Sequence, residues 1–175
     1  LVADAENNTW NITGVGSGTV GGVVGGFSGI ENLVGGNQTD SFIFTGSGSV
    51  QGNVDGGGQV DTLNMSAFLS DMLVTLSGAG TVDGVSGSID LIDGTFDNID
   101  SLSTGDGNDT LVGINAQAAW TLAATDNYLD TVSTQDLDFS GLENLTGGSG
   151  DDTFTVTGGE AYEITAGDGD DSFVF

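Results

Sequence analysis

The sequence contains no lysine, arginine or histidine, whereas 26 of its 175 residues are acidic, which gives a formal net charge of −26. Nucleic acid binding depends on Lys and Arg side chains that neutralise phosphates, so this composition excludes a nucleic acid partner. Most general bases and covalent nucleophiles are also absent, which predicts that the chain is not an enzyme. Because there is no cysteine, disulfides and Cys/His zinc sites are excluded as well.

Proline is absent too, and no stretch approaches 18 apolar residues, so we expect no membrane-spanning segment. The first residues lack the basic start of a signal peptide, which indicates that such a peptide was removed or that the chain is a piece of something longer. The chain is nevertheless rich in glycine, with 32 residues, and 37% of it is hydrophobic. The apolar residues lie in short runs of Val, Ile, Leu and Phe, which favours β-strands over disorder or helices.

Internal repeats organise the whole chain. The segment Phe27–Phe44 reads FSGIENLVGGNQTDSFIF, and Phe139–Val156 reads FSGLENLTGGSGDDTFTV, with 10 of 18 positions identical. A third copy, Phe96–Gly113, aligns with them without a gap. We therefore predict one complete long repeat in residues 1–110 and the first part of the next in residues 111–175, within a single continuous solenoid over residues 1–175.

A shorter repeat of the loose form L-x-G-G-x-G-x-D-S/T-F/L lies inside the long one. Its aspartates recur with a period near 22 residues, at Asp40, Asp61, Asp109, Asp152 and Asp171, and more weakly at Asp83 and Asp130. Such a period with Gly-rich turns and short strands predicts an all-β, right-handed parallel β-solenoid of about eight coils. An antiparallel sandwich is the alternative fold. Trp10 and Trp120 occupy equivalent positions, and we expect both to stack in the core.

One aspartate per coil predicts a column of carboxylates about 5 Å apart, which repel one another. The chain has no cation to relieve this repulsion, so relief has to come from ions in solution. Ca²⁺ binds six to eight oxygens and suits paired carboxylates with turned backbone carbonyls. The alternative is that each Asp closes its turn by accepting a hydrogen bond from its own backbone.

The aspartate loops resemble the calcium-binding nonapeptide G-G-x-G-x-D-x-U-x of RTX proteins. Residues 147–155 match it throughout, whereas residues 166–174 and 104–112 miss only the first Gly. The resemblance implies calcium ligands at Asp152 and Asp171, helped by Asp151, Asp168 and Asp170, and at Asp109 with Asp106. Asp40 and Asp61 are weaker candidates because Gln stands at or near the fourth position of their loops.

The longer pattern of W-x-I-T-G, F-S-G-I/L-E-N-L-x-G-G and V-D-T-L is similar to the β-strand repeats of very large bacterial exported surface proteins. This resemblance covers essentially the whole chain. It implies a secreted or cell-surface structural segment, calcium-stabilised, that acts as a stiff rod or filament and meets neighbouring repeats of the same protein. The alternative is a calcium-dependent adhesin module that binds a cell-surface or glycan partner. A polysaccharide-cleaving enzyme is disfavoured because Arg and Lys are missing.

Overall fold

The computed structural model describes residues 1–22, 24–158 and 161–175, and within them the regular secondary structure is entirely β-strand. The strands in chain order are β1 (Thr9–Gly14), β2 (Ser17–Val20), β3 (Leu33–Gly36), β4 (Ser41–Phe44), β5 (Val54–Gly57), β6 (Thr62–Asn64), β7 (Leu73–Ala79), β8 (Val85–Ile89), β9 (Ile92–Ile99), β10 (Ser101–Ser103), β11 (Thr110–Val112), β12 (Ala118–Leu122), β13 (Asp126–Asp130), β14 (Asp136–Ser140), β15 (Asn144–Gly148), β16 (Thr153–Val156), β17 (Glu163–Gly167) and β18 (Ser172–Val174).

These strands form two mixed sheets. Sheet 1 has ten strands in the order β18-β16-β12-β13-β14-β10-β6-β4-β1-β2, and sheet 2 has eight in the order β17-β15-β11-β7-β8-β9-β5-β3. One hydrophobic cluster takes buried side chains from both sheets, so the sheets share a core. Within the part of the chain that the structure describes, no helix is long and apolar enough to cross a lipid bilayer.

Alternation of side chains explains why these short segments become strands. In β4, Phe42 and Phe44 are buried while Ser41 and Ile43 are partly exposed, because successive side chains of a strand point to opposite faces. In β12, Trp120 is fully buried and Thr121 is exposed. Strands with this alternation thus supply every second residue to the core.

The prediction of a regular parallel β-solenoid of about eight coils is wrong, because the chain reverses direction inside both sheets. In sheet 2, β7, β8 and β9 form an antiparallel meander, and in sheet 1 β12, β13 and β14 form another. β1 and β2 also pair in an antiparallel hairpin. The parallel pairs, such as β3 with β5 and β4 with β6, are joined through these reversals into two mixed sheets.

The two weakest aspartates of the sequence pattern lie at these reversals. Asp83 is in the turn between β7 and β8, and Asp130 ends β13 before the turn into β14. A meander and a pair of solenoid coils need similar lengths of chain and the same apolar alternation. The repeat period therefore did not distinguish a hairpin from a coil.

Candidate functional site

Four of the predicted site residues are aspartates whose side chains are almost wholly removed from solvent. The exposed fraction is 1% for Asp40 and Asp152 and 0% for Asp61 and Asp109. Burying an ionised carboxylate costs several kcal/mol unless a cation or hydrogen bonds compensate. The sequence has no Lys, Arg or His, so the compensation has to come from hydrogen bonds, protons or ions in solution.

Hydrogen bonds between successive turns hold these carboxyl groups in rows, which we call carboxyl columns. Asp61 Oδ1, for example, accepts the backbone N–H of Asp40 at 2.7 Å, and Asp40 Oδ1 accepts that of Asn8 at 2.7 Å. The first column is Asn8–Asp40–Asp61–Asp100, the second is Met72–Asp109–Glu143, and the third is Ala118–Asp152–Asp171, with N···O distances of 2.7–2.9 Å. The columns therefore fix the register of neighbouring turns.

This bonding differs from the alternative in which each Asp closes its own turn. Own-turn bonding occurs at Asp130, whose Oδ1 accepts the N–H groups of Val132 at 2.9 Å and Ser133 at 3.3 Å. In the columns, by contrast, the acceptor serves the adjacent turn, 19 to 39 residues away in sequence wherever both members are acidic. A column aspartate thus links turns to one another.

The second carboxyl oxygen of three buried aspartates lies against a glycine. Oδ2 has no hydrogen-bond partner within the described structure at Asp40, Asp61, Asp109 and Asp152. A Cβ added to Gly35 would lie 2.5 Å from Oδ2 of Asp40, and one added to Gly56 would lie 2.6 Å from Oδ2 of Asp61. Gly147 lies against Oδ2 of Asp152 in the same way, whereas Thr104 stands at this position before Asp109. In the loops that have it, the first Gly of the G-G-x-x-x-D pattern therefore leaves room for the carboxyl group.

The second Gly of the pattern has a different role. It ends the sheet 2 strand in the left-handed region of φ, where L-residues with a Cβ are strained. The φ angles are 131° at Gly36, 104° at Gly57, 128° at Gly148 and 100° at Gly167. Both glycines of the pattern thus have a structural explanation that does not involve a metal.

Burial raises the pKa of several carboxyl groups in the columns. Burial, together with the nearby carboxylates of Asp40 and Asp100, raises the pKa of the Asp61 carboxyl group to about 8. Burial also raises the pKa of Asp152 to about 6, with the carboxylate of Asp171 contributing. The same cause raises the pKa of three more carboxyl groups, those of Asp40, Asp100 and Asp109.

The remaining candidate calcium ligands lie at the surface. Asp106, Asp151, Asp168 and Asp170 are exposed, and Asp171 is half-buried. The structure brings together two pairs on adjacent turns: Asp152 with Asp171, and Asp151 with Asp170, whose N–H donates to Asp151 Oδ1 at 2.9 Å. Asp109 lies in a separate column, beside Glu143.

One oxygen of each buried carboxyl group accepts a backbone N–H, and the other is buried without a hydrogen-bond partner in the described structure. Among residues 1–22, 24–158 and 161–175, no group of three or more Asp or Glu side chains is placed to hold a metal ion. Calcium binding stays a prediction.

The carboxylate pair Asp136 and Asp138 on β14 resembles an acid/base dyad in spacing only. The side-chain amide of Asn127 donates to both carboxylates, at 2.9 Å each, and so bridges them across the sheet. A surface depression of about 360 Å³ lies beside this strand and has Asp126 and Asp138 as its acidic residues. Both features are explained by strand pairing.

Two column residues, Asp100 and Glu143, were missed by the sequence reasoning. Asp100 Oδ2 accepts the N–H of Asp61 at 2.8 Å, and Glu143 Oε2 accepts that of Asp109 at 2.8 Å. A signal for Asp100 was present, since Asp100-Ser101-Leu102 has the same D-S/T-F/L form as Asp40-Ser41-Phe42. Glu143 occupies a different local pattern, and its longer side chain reaches the same acceptor position.

Comparison with known proteins gives no match to this chain, either among protein-family models or among curated proteins and solved structures.

Proposed function

We propose that this chain is a structural repeat segment of a secreted or cell-surface protein, and that it forms a stiff β scaffold to which further copies of the repeat are added. The observation that carries the proposal is that equivalent positions of the repeat stack on one another inside the core. The cellular location rests on the sequence resemblance to exported surface repeats.

An interior row of apolar side chains runs across sheet 1 in strict register. Trp10 lies opposite Phe42, and their rings stack at 5.5 Å. In the other half of the sheet Trp120 stacks on Phe154 at 5.3 Å, and Phe154 stacks on Phe173 at 5.1 Å. Because each added strand places one more ring on such a row, the same packing contact stabilises the scaffold at every step.

The two copies of the long repeat also adopt the same local structure. The strand that contains Trp10, β1, pairs antiparallel with β2 and parallel with β4. The strand that contains Trp120, β12, pairs antiparallel with β13 and parallel with β16. The long repeat is therefore a unit of structure as well as of sequence, which supports the proposal that repetition is its function.

The exposed sheet edge indicates what kind of partner fits. In the first copy, β9 and β10 cover β5 and β6, and Leu63 and Met65 are 0% exposed. At the equivalent positions of the second copy, Phe173 is 45% exposed and Phe175 is 91% exposed. We therefore propose that the partner at the β17 and β18 edge is a β9–β10 unit from a further copy of the repeat.

An extended chain tests this proposal. Residues 66–110 of this sequence, appended after Phe175, are expected to pair with β17 and β18 as they pair with β5 and β6. Burying two phenylalanines contributes about 3 kcal/mol, which raises the melting temperature by roughly 5–10 °C. Hydrogen exchange is the direct measurement, since the amides of Phe173 and Phe175 should become protected, just as the equivalent Met65 N–H donates to the Ser103 carbonyl oxygen in the first copy.

The matched control is the same extension with aspartate in place of the leucine equivalent to Leu102, which puts an unpaired charge in the buried row. In this control, the melting temperature and the hydrogen exchange of β18 should equal those of the chain without the extension. Protection of β18 that is equal in both extended chains, or absent from both, contradicts the proposal.

Calcium is proposed as a stabilising ion at the exposed carboxylates between β15–β16 and β17–β18. If Asp151 and Asp170 bind it, a free calcium concentration of 100 times the Kd stabilises the fold by about 2.7 kcal/mol. Thermal melting with calcium and with EDTA measures this effect. The Asp151→Asn/Asp170→Asn variant should lose the response, whereas the variant of an exposed acid elsewhere, Asp93→Asn, should keep it. An identical melting temperature with calcium and with EDTA in the unaltered chain contradicts calcium binding.

A further inference from the structure

The two sheets do not end level with each other on the β2 side of the molecule. Beyond β3 and β4, sheet 1 continues through β1, β2 and then a segment at Phe27, which forms an antiparallel bridge with Gly18. Sheet 2 continues through one segment, residues 1–3, in which Val2 forms a parallel bridge with Val34. Within the described part of the chain, sheet 1 is therefore longer by two segments. We call this region the stepped edge.

The second copy of the repeat contains the same step, and there it is filled. By sequence, β12, β13 and β14 are the equivalents of β1, β2 and the Phe27 segment, and β11 is the equivalent of residues 1–3. In sheet 2, β7, β8 and β9 lie between β11 and β5, whereas in sheet 1 the single strand β10 lies between β14 and β6. We call these four strands the β7–β10 unit. Its three strands in sheet 2 and one in sheet 1 make the two sheets level again at β5 and β6.

Apolar side chains at the step are buried in the second copy and more exposed in the first. Leu111 is 0% exposed and pairs with β7, and Phe139 is 4% exposed and pairs with β10. At the equivalent positions of the first copy, Leu1 is 38% exposed and Phe27 is partly exposed. The stepped edge thus presents the same apolar side chains that a β7–β10 unit covers in the second copy.

A carboxylate contact at the filled step also has its equivalent at the stepped edge. Oε2 of Glu143 accepts the backbone N–H of Asp109, in the loop that follows β10, at 2.8 Å. The equivalent of Glu143 in the first copy is Glu31, whose side chain is exposed. A β7–β10 unit with its following loop therefore matches the stepped edge in a polar contact as well as in apolar ones.

We propose that the stepped edge is the docking surface for the β7–β10 unit of a second copy of the repeat, with β7 beside residues 1–3 and β10 beside the Phe27 segment. The inference rests on the proposed function and identifies the surface that receives a copy at this end. The level edge at β17 and β18 does not fit the stepped edge, because joining the two leaves the inner face of two sheet 1 segments without sheet 2 across the core. The scaffold therefore grows with a fixed order of units.

Two chains extended at the N-terminus test the docking. In the first, residues 46–110 are placed directly before Leu1, which reproduces the junction before the equivalent Leu111. This added segment contains the β7–β10 unit together with β5 and β6, its neighbours on the other side. In the matched control, residues 111–175 are placed before Leu1. The control extension has the same length but ends in the level edge of β17 and β18.

Hydrogen exchange at Gly26 reports whether β10 has docked. In the second copy the backbone N–H of Asp138 donates to the carbonyl oxygen of Asp100, next to β10, at 2.9 Å. Gly26 is the equivalent of Asp138, so its amide hydrogen should exchange roughly 100-fold more slowly in the first extended chain than in the unaltered chain. The control extension should leave the exchange of Gly26 unchanged. Equal exchange rates in the two extended chains overturn the proposal.

Two variants of the added segment separate docking from the mere presence of extra chain. Leu102 is 1% exposed and lies opposite Phe139, so Leu102→Asp in the added segment puts a charge against Phe27. The next side chain, Ser103, points to the other face of β10, and Ser103→Asp adds the same charge there. We expect Leu102→Asp to restore fast exchange at Gly26 and Ser103→Asp to retain the protection. Equal exchange in both variants overturns the proposal.

Extensions at the two ends distinguish failure of this inference from failure of the proposed function. The C-terminal extension reports on the amides of Phe173 and Phe175, whereas the N-terminal extension reports on Gly26. Protection of the two phenylalanine amides without protection of Gly26 overturns the docking surface and leaves the proposed function in place. Protection at neither end contradicts both, and protection at both ends is the expected result.

Discussion

A Gly56→Ala substitution is expected to destabilise the fold by about 3 kcal/mol, because the added methyl group has no space between two turns. Gly56 is buried at the end of β5. Its Cβ would overlap the backbone carbonyl oxygen of Asn98 and would lie 2.6 Å from Oδ2 and 2.7 Å from Cβ of Asp61. The backbone at Gly56 is not left-handed, so the expected loss comes from separating β5 from β9 and not from torsional strain.

Gly58→Ala is the matched control for this prediction. Gly58 lies two residues away, and the nearest atom to an added Cβ is Cγ1 of Val82 at 3.7 Å, which is an ordinary contact. The substitution also reduces the conformational freedom of the unfolded chain, so we expect a change within about 0.5 kcal/mol. Urea denaturation of both variants at pH 6 measures the difference. Equal losses would show that the spacing of turns at Gly56 does not limit stability.

Trp120→Ala is expected to cost about 4 kcal/mol, since it empties the centre of the second aromatic group. Trp120 is 0% exposed. Its ring stacks on Phe154 at 5.3 Å and meets Tyr128 edge-on at 4.7 Å, and these contacts join β12 to β16 and β13. Tyr128 in turn accepts the N–H of Ile114 through its hydroxyl at 3.1 Å, so the loss extends to the β11–β12 link.

The Trp120→Phe variant distinguishes the contribution of ring packing to stability from that of the indole N–H group. The indole Nε1 of Trp120 is buried and has no hydrogen-bond partner in the described part of the chain. Removing it takes away an unpaired donor, which offsets part of the lost volume, and we expect a cost below about 1.5 kcal/mol. Thermal or urea unfolding of the two variants provides the comparison. A phenylalanine variant as unstable as the alanine variant would contradict the packing explanation.

The residues that form the core were predicted from the sequence more successfully than the order and direction in which the strands pair. Trp10 and Trp120 stack in the core as expected, each on a phenylalanine of the neighbouring parallel strand, because the strand register places the two rings side by side. The residues that form β7, β8 and β9 were interpreted as coils. The alternation of apolar and polar residues in these segments and their glycine content fit an antiparallel hairpin as well as a coil. The antiparallel pairing of Val74 with Ile89 identifies the hairpin.

Calcium binding by the aspartates of the candidate site stays a prediction, whereas the orientation of their carboxyl groups was not predicted from the sequence. Five aspartates of the pattern do occupy equivalent turns, but the orientation of a carboxyl group depends on the neighbouring backbone. Asp40 Oδ1 accepts the N–H of Asn8, which is a contact between separate turns, whereas Oδ2 packs against Gly35 of its own turn. Such contacts are set by the distance between turns, which a linear pattern does not contain.

The order of strands in space also determines how this protein comes apart. β6 is followed in the chain by β7, but the second neighbours of β5 and β6 in the sheets, on the side away from β3 and β4, are β9 and β10, so Val54 pairs with Phe96 across a long intervening segment. β5 and β6 therefore gain these second partners only when the β7–β8–β9 meander is in place. Local fraying of one turn is opposed by strands that lie far along the chain. The unit that folds and unfolds is then a meander with the turns on both sides of it, which makes unravelling from an edge proceed in large cooperative steps.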